Sequence, residues 1–339
     1  MRAREGDLIK TKSKVVFDVK GSVHPAGKIV AFPRFIPSPQ GTRQGKEGTY
    51  GKVYSLGERF KYLQENHPDL IVFDPVFGET LCEVPIEQVA EHYKPEEKLA
   101  SLRPSKNLTQ LESKAVRLAE TLKAEANIPW SSIGISGSIM AGLTTEKSDI
   151  DPLVYGVDNC RKAYSALQRL LKNQDSGFKP YTRADLQELF DFRSKDTQMS
   201  FEDFVLVESR KAFQGKFMGT DYFIRFVKDW SEVNEQYGDV RFKNSGYAKI
   251  TAKIADSTDS LFTPCTYKLE NVEVVEGPKL QPIQEIASFR GRFCEQAANG
   301  EAVEAQGKVE LVTNKKSGSE YYRLILGNKP SDYMVLSHI

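Results

Sequence analysis

Two aspartates one residue apart, Asp149 and Asp151, stand in a run that otherwise reads as a buried strand, Ile150 followed by Pro152-Leu153-Val154-Tyr155. In a strand, residues two apart project from the same face, so both carboxylates point together while Ile150 turns into a core. Like charges held this close away from water destabilise one another. A divalent cation, most simply Mg2+, is the hard positive centre such oxygens accept.

Eleven residues before Asp149, a second apolar stretch ends at Gly137-Ser138, after Ile133-Gly134-Ile135-Ser136. Glycine lets backbone amides approach a phosphate closely, and serine adds a hydroxyl at the start of the next helical turn. Ile139, Met140, Ala141 and Leu143 suit a short helix, and Thr144 to Ser148 returns the chain to a strand beginning near Asp149. Lys147 in that return either meets a phosphate or is a solvated charge beside Glu146.

The formal charge of +1 argues against a polybasic coat without excluding a local basic cleft. Cys82, Cys160, Cys265 and Cys294 form no CxxC, so a structural zinc site is not expected and a reducing cytoplasmic compartment is. His24, His67, His92 and His338 form no metal-binding cluster. No apolar run approaches membrane-spanning length, so no membrane partner is expected.

Three regions are expected. Residues 1–98 read as a strand-rich accessory domain, with strands at Val15 to Val19 and Ile29 to Ile36 and a helix from Leu56 to Glu65. Gly41 to Gly51 reads as a polar connection. With Arg34, Arg43, Lys46, Lys52 and Tyr50 in or beside it, the segment suits a solvated loop, a phosphate grip or a surface that stacks a base. The charged, proline-interrupted segment from Tyr93 to Pro104 reads as a boundary.

Residues 105–230 read as the catalytic domain, opened by a helix capped at Asn107 with Gln110 three places on and striped by Leu111, Ala115, Leu118, Ala119 and Leu122. Asp158 is placed to cap the helix after the signature, and further helices are expected near 182–192 and 201–214. Asp221 to Val227 returns to strand. Residues 240–339 read as a β-rich accessory domain with strands near 247–255, 266–275, 305–312 and 320–326, a candidate nucleic-acid binder.

Taken together, Ile135-Ser136-Gly137-Ser138 and Ser148-Asp149-Ile150-Asp151 resemble the signature of the nucleotidyltransferase superfamily that includes DNA polymerase beta: an apolar residue, Gly-Ser, about ten residues, then acid-apolar-acid in a strand. The likeness covers about residues 107 to 228, and the flanking regions resemble an archaeal-type group of predicted nucleotidyltransferases. It implies an α+β fold, a short mixed sheet with helices flanked by the two accessory domains. It also implies two Mg2+ ions, with Mn2+ as a substitute, a nucleoside triphosphate substrate, and a third acid on a later strand. Asp221 is the choice for that acid and Asp239 the reserve.

On this resemblance Asp149, Asp151 and Asp221 are the catalytic and metal-binding residues. Gly137, Ser138 and Lys147 contact the nucleotide, and a nucleoside monophosphate passes to a hydroxyl acceptor such as RNA, releasing pyrophosphate. Three alternatives stay open: a silent nucleotide- or nucleic-acid-binding protein, a transferase acting on a small-molecule hydroxyl, and a sugar-nucleotide glycosyltransferase. The last gives no reason for the upstream Gly-Ser.

Secondary candidates have plainer readings. His24 beside Pro25 reads as structural, Cys160 as packing, and Arg161, Lys162 and Arg169 as a solvated helix face. Arg225 reads as an ion-pair partner for the carboxylates. Phe289 to Phe293 and Tyr321-Tyr322 fit either an antiparallel core or a nucleic-acid surface.

Overall fold

Short apolar strands joined by tight turns open the computed structural model, which describes residues 1–195 and 198–337 and so leaves His338 outside the described residues. In chain order they are β1 (Leu8–Thr11), β2 (Val16–Val19), β3 (Lys28–Pro37), β4 (Arg43–Gly45), β5 (Gly48–Lys52), helix α1 (Leu56–Asn66), β6 (Ile71–Asp74), β7 (Glu79–Pro85) and β8 (Val89–Tyr93). Their order is β4-β5-β3-β2-β1-β8, with β7 also paired to β3. The segment read as a polar connection is the β4–β5 hairpin, with Gly45 opposite Gly48. Helix α1 falls where expected because Ser55 and Glu58 form a reciprocal capping box.

The stretch taken as a boundary is helix α2 (Pro95–Leu102). Proline at the first helical position is compatible with a helix start, since that amide has no intrahelical partner. Helix α3 (Gln110–Ala126) begins later than expected, capped by Thr109 and Glu112 rather than by Asn107. Its stripe Ala115, Leu118, Ala119 and Leu122 is fully buried.

Then come β9 (Ile133–Ile135), α4 (Gly137–Ala141), β10 (Pro152–Tyr155), α5 (Val157–Leu170), β11 (Phe178–Lys179), α6 (Arg183–Arg193), α7 (Phe201–Glu208), β12 (Gln214–Phe217), β13 (Thr220–Phe223) and β14 (Arg225–Val227). Gly156 caps α5, and Asp158 sits in its first turn. Helix α7 stops at Glu208, short of the expected 214, because Gln214 already belongs to β12. Strands β14, β10 and β9 form a three-stranded mixed sheet, antiparallel between β9 and β10 and parallel between β10 and β14, within a chain of mixed α+β structure.

The last strands are β15 (Val240–Asp256), β16 (Cys265–Glu276), β17 (Ile283–Ser288), β18 (Ala302–Asn314), β19 (Ser319–Leu326) and β20 (Tyr333–Leu336). Pairing runs β15-β16-β17-β19-β18, and β15 pairs with β18 to close a barrel. Ile250, Ile254, Tyr267, Ile286, Val309 and Leu324 are buried there, so side chains fill this small barrel.

The chain divides into two compact units: Met1–Ile71, Cys82–Tyr181 and Ala212–Asn234 in the first; Val72–Leu81, Thr182–Lys211 and Glu235–Ile339 in the second. The expected regions 1–98 and 105–230 therefore share most of one unit. Its core shows why, because Leu8, Val16, Phe35 and Tyr50 of the N-terminal sheet pack with Met140 and Leu143 of the Gly-Ser turn. Among the described residues no helix is long and apolar enough to cross a membrane.

Candidate functional site

The two aspartates sit just before β10, with Ile150 between them forming a parallel bridge to Tyr222. Ile150 is wholly buried while Asp149 and Asp151 are half-buried, so the one-in, two-out arrangement is present although the regular strand starts at Pro152. The Ser136 amide donates to the Asp151 carbonyl at 2.9 Å, joining the acid segment to the Gly-Ser turn.

Gly137 adopts φ +62°, and a Cβ placed there would lie 1.9 Å from Asp151 Oδ2. Only glycine suits this point, by backbone conformation and by space. The expected approach of the Gly-Ser turn to the acids is thus a contact between Gly137 Cα and the Asp151 carboxylate. Ser138 follows at 2 % exposure, and its hydroxyl has no hydrogen-bond partner among the described residues. Ser136, which interrupts the apolar approach, donates its hydroxyl to the Gly6 carbonyl at 2.7 Å.

Charges from the N-terminal sheet surround the pair. Burial pushes the Asp151 carboxyl up to about 6, and the charge of Asp149 adds to that, against the pull of Arg225, Lys52 and Arg34. Burial pushes Lys52 down to about 8 with help from Arg34 and Arg43, against the pull of Asp149 and Asp151. Neither carboxylate, nor the Lys52 ammonium, is hydrogen-bonded or ion-paired to another described residue. Lys52 Nζ lies 5.0 Å from the centre of the Tyr54 ring, and the Arg34 guanidinium 5.4 Å from it.

A second buried acid shows the opposite balance. Asp18 on β2 is disfavoured as an anion by burial, yet Lys20, Arg225, Arg59 and Arg34 together hold it well below the usual carboxylate range. Lys20 pairs with it at 2.8 Å, and Arg225 lies 3.3 Å from Glu5 and 3.8 Å from Asp18. Arg225 therefore meets acids as expected, but its direct partners are Glu5 and Asp18. Arg43 hydrogen-bonds the Leu143 carbonyl at 2.5 Å and Ser148 Oγ at 3.4 Å, pinning the return turn to the hairpin.

Asp221 is exposed on β13, and its carbonyl accepts from the Ile150 amide at 2.9 Å. The register places it beside Asp149 on the neighbouring strand, with Lys216 opposite it on β12. Among the described residues no three His, Cys, Asp or Glu side chains gather closely enough to ligate a metal. Asp239, the reserve, belongs to the second unit and pairs with Lys316 at 2.7 Å. Lys147 is exposed in the return turn, and Lys46 is exposed at the turn of the β4–β5 hairpin.

The plainer readings also stand. His24 Nδ1 accepts from the Val30 amide, so Nε2 carries the proton and donates to Ala3 O at 3.0 Å. Cys160 is buried with its thiol donating to the Val154 carbonyl. Lys162 pairs with Asp158 on its own helix, and Arg169 bonds the Ser165 and Glu125 carbonyls.

Does this donor set fit Mg2+? That ion keeps several waters and is commonly held by one or two carboxylates together with substrate phosphates. Two carboxylates without ion-pair partners, on the segment that the Gly-Ser turn abuts at Gly137, suit it without a third protein ligand. Arg34 and Lys52 entered the sequence reading only as a candidate phosphate grip, unconnected with the acids, which lie about a hundred residues further along the chain. Their one local signal was a basic, tyrosine-bearing hairpin.

Comparison with known proteins adds kinship without an activity. The chain is 31 % identical over 336 residues to an uncharacterized protein of Methanocaldococcus jannaschii, covering 96 % of each. No known family model matches it, and no solved structure does.

Proposed function

The chain belongs to the family of that Methanocaldococcus jannaschii protein, and from its site we propose that it is a metal-dependent nucleotidyltransferase. One observation carries the reading: Asp151 is pushed up to about 6 whereas Asp18 nearby is held down. Asp18 is buried and Asp151 half-buried, both amid arginine and lysine, and only at Asp151 does the positive charge fail to offset burial and a neighbouring acid. A bound cation supplies it.

In this reading Asp149 and Asp151 hold Mg2+, which supplies charge neutralisation for the attacking and leaving oxygens of an in-line displacement. Gly137 lets the turn close onto Asp151, and the Ser138 hydroxyl donates to a phosphate oxygen. Asp221, beside Asp149 in register, would be the third carboxylate and would take the proton of the acceptor hydroxyl. That hydroxyl oxygen bonds to the α phosphorus as the bond to pyrophosphate breaks.

The acceptor is RNA or a small-molecule hydroxyl. The outward face of β16 carries exposed Glu270, Glu273 and Glu276, with Lys253 of β15 paired to Glu270 at 3.2 Å, so this mixed face offers no basic surface for a phosphate backbone.

A second reading, nucleotide binding without transfer, is favoured by one feature: Asp221 does not gather with the other two acids into a metal-binding group. One experiment separates the readings. Each labelled nucleoside triphosphate is incubated with Mg2+ and pooled RNA, DNA and small hydroxyl compounds, for the protein and for its Asp149→Asn/Asp151→Asn form. Transfer with pyrophosphate release by the unaltered protein alone supports catalysis; Mg2+-dependent binding without transfer supports the second reading.

A further inference from the structure

Lys52 and the acid pair present an unusual juxtaposition. Opposite charges, each half-buried, stand on the β4–β5 hairpin and on the acid segment, which Arg43 ties together through Leu143 and Ser148, yet no ion pair joins them. In a medium of low dielectric the attraction between such groups is large, and a protein that needed only to satisfy them would let them touch. Held apart, they match a ligand carrying both signs: a cation toward the acids and anionic oxygens toward the ammonium.

The sheet fixes the ammonium. Lys52 ends β5, and its backbone is paired to Phe35 of β3. Its side chain lies against Tyr54, which also carries Arg34, and the Arg34 guanidinium donates to the Val53 carbonyl at 3.4 Å. Arg43 holds the same hairpin to the return turn before Asp149. Strand, ring and hairpin thus set Lys52 at a defined place relative to Asp149 and Asp151 within one compact unit.

We propose that Lys52, with Arg34 beside it, is the polyphosphate-binding site that accompanies Asp149 and Asp151, so that the N-terminal sheet forms part of the active centre. The ligand class is a magnesium-bound triphosphate, and the inference rests on the nucleotidyltransferase reading for what happens to it. Lysine serves here as a point charge on phosphate oxygens, while arginine can offer two parallel donors.

The test is calorimetric titration of the full chain with two probes, MgATP and inorganic tripolyphosphate in EDTA, alongside the labelled-transfer assay. Lys52→Met is expected to weaken both probes at least tenfold, Lys52→Arg to restore most of the affinity, and Lys46→Met, on the same hairpin, to change neither. The Asp149→Asn/Asp151→Asn form is expected to bind metal-free tripolyphosphate more tightly than the unaltered protein, because two repelling charges are gone. Thermal melts of each variant confirm folding, and Lys52→Gln serves should the methionine form fail to fold.

If Lys52→Met binds both probes as the unaltered protein does, the phosphate site is overturned, whatever the transfer assay reads. If binding depends on Lys52 but no transfer occurs, the catalytic reading fails and the site stands. If the unaltered protein binds neither probe, both fail.

Discussion

Gly137 Cα abuts the carboxylate of Asp151, so closely that a Cβ would stand 1.9 Å from Oδ2. Replacing Gly137 with alanine forces Asp151 or the turn to move, and the left-handed backbone adds a cost of roughly 1–2 kcal/mol. The expected outcome is a modest fall in stability with a loss of nucleotidyl transfer of about a hundredfold, since small misplacements of reacting groups cost that much. Melting curves and the transfer assay check both. Full activity in a folded Gly137→Ala protein would show that the contact does not organise the site.

Ser138 offers a cleaner separation of folding from function. Its hydroxyl is buried without a partner among the described residues, so Ser138→Ala removes an unsatisfied group and should be neutral or stabilising by up to ~1 kcal/mol. Triphosphate affinity should fall severalfold at the same time. A variant that loses stability and keeps its affinity would assign the hydroxyl to structure alone.

Protonation of Asp151 near pH 6 gives the site a pH signature. Its folded-state value lies above that of an exposed aspartate, so the stability it contributes is present at low pH and lost as pH rises through about 6. In EDTA the protein should melt at progressively lower temperature between about pH 4 and pH 7, and Asp149→Asn/Asp151→Asn should flatten that slope. Mg2+ competes with the proton, so its affinity should fall about tenfold per pH unit below 6. Mg2+ titrations from pH 5 to 8 read this directly, and a flat affinity over that range would remove Asp151 from the metal site.

Local pattern made much of this legible. The buried Ile150 between two half-buried aspartates, the amphipathic α3 and the strands β15, β16, β18 and β19 follow from periodicity, which depends on near neighbours, whereas the short β17 and β20 were not expected. What could not be read depends on distant ones. Arg43 reaches Leu143 and Arg225 reaches Glu5 across one hundred and two hundred and twenty positions, and nothing in either local stretch announces its partner. The charged segment around Pro95 looked like a linker, yet it is a helix whose start Pro95 fits, and Gly134 of β9 lies against it, where a Cβ would come 2.5 Å from Pro95. The hairpin bearing Lys52 resembled a solvated loop because its burial comes from tertiary packing.

Arg225 tests whether the charge balance described for the two acids is physical. Its guanidinium lies near Glu5 and Asp18, whose side chains are 1 % and 11 % exposed, and its charge also reaches Asp151. Arg225→Met keeps most of the side-chain volume but removes that cation, while Lys20 still pairs with both acids and the Gly21 amide still donates to Glu5. Breaking a buried pair this way costs about 3 kcal/mol or more, and Lys20 places the expected loss near the lower end. The same change should raise Asp151 further, moving the pH at which Mg2+ binding is half lost above its value in the unaltered protein. Denaturant unfolding at pH 7 and the Mg2+ titration series measure the two effects separately. A variant that unfolds at the same denaturant concentration would mean that Glu5 and Asp18 are satisfied without the arginine. An unmoved titration midpoint would mean that the acid pair does not feel it.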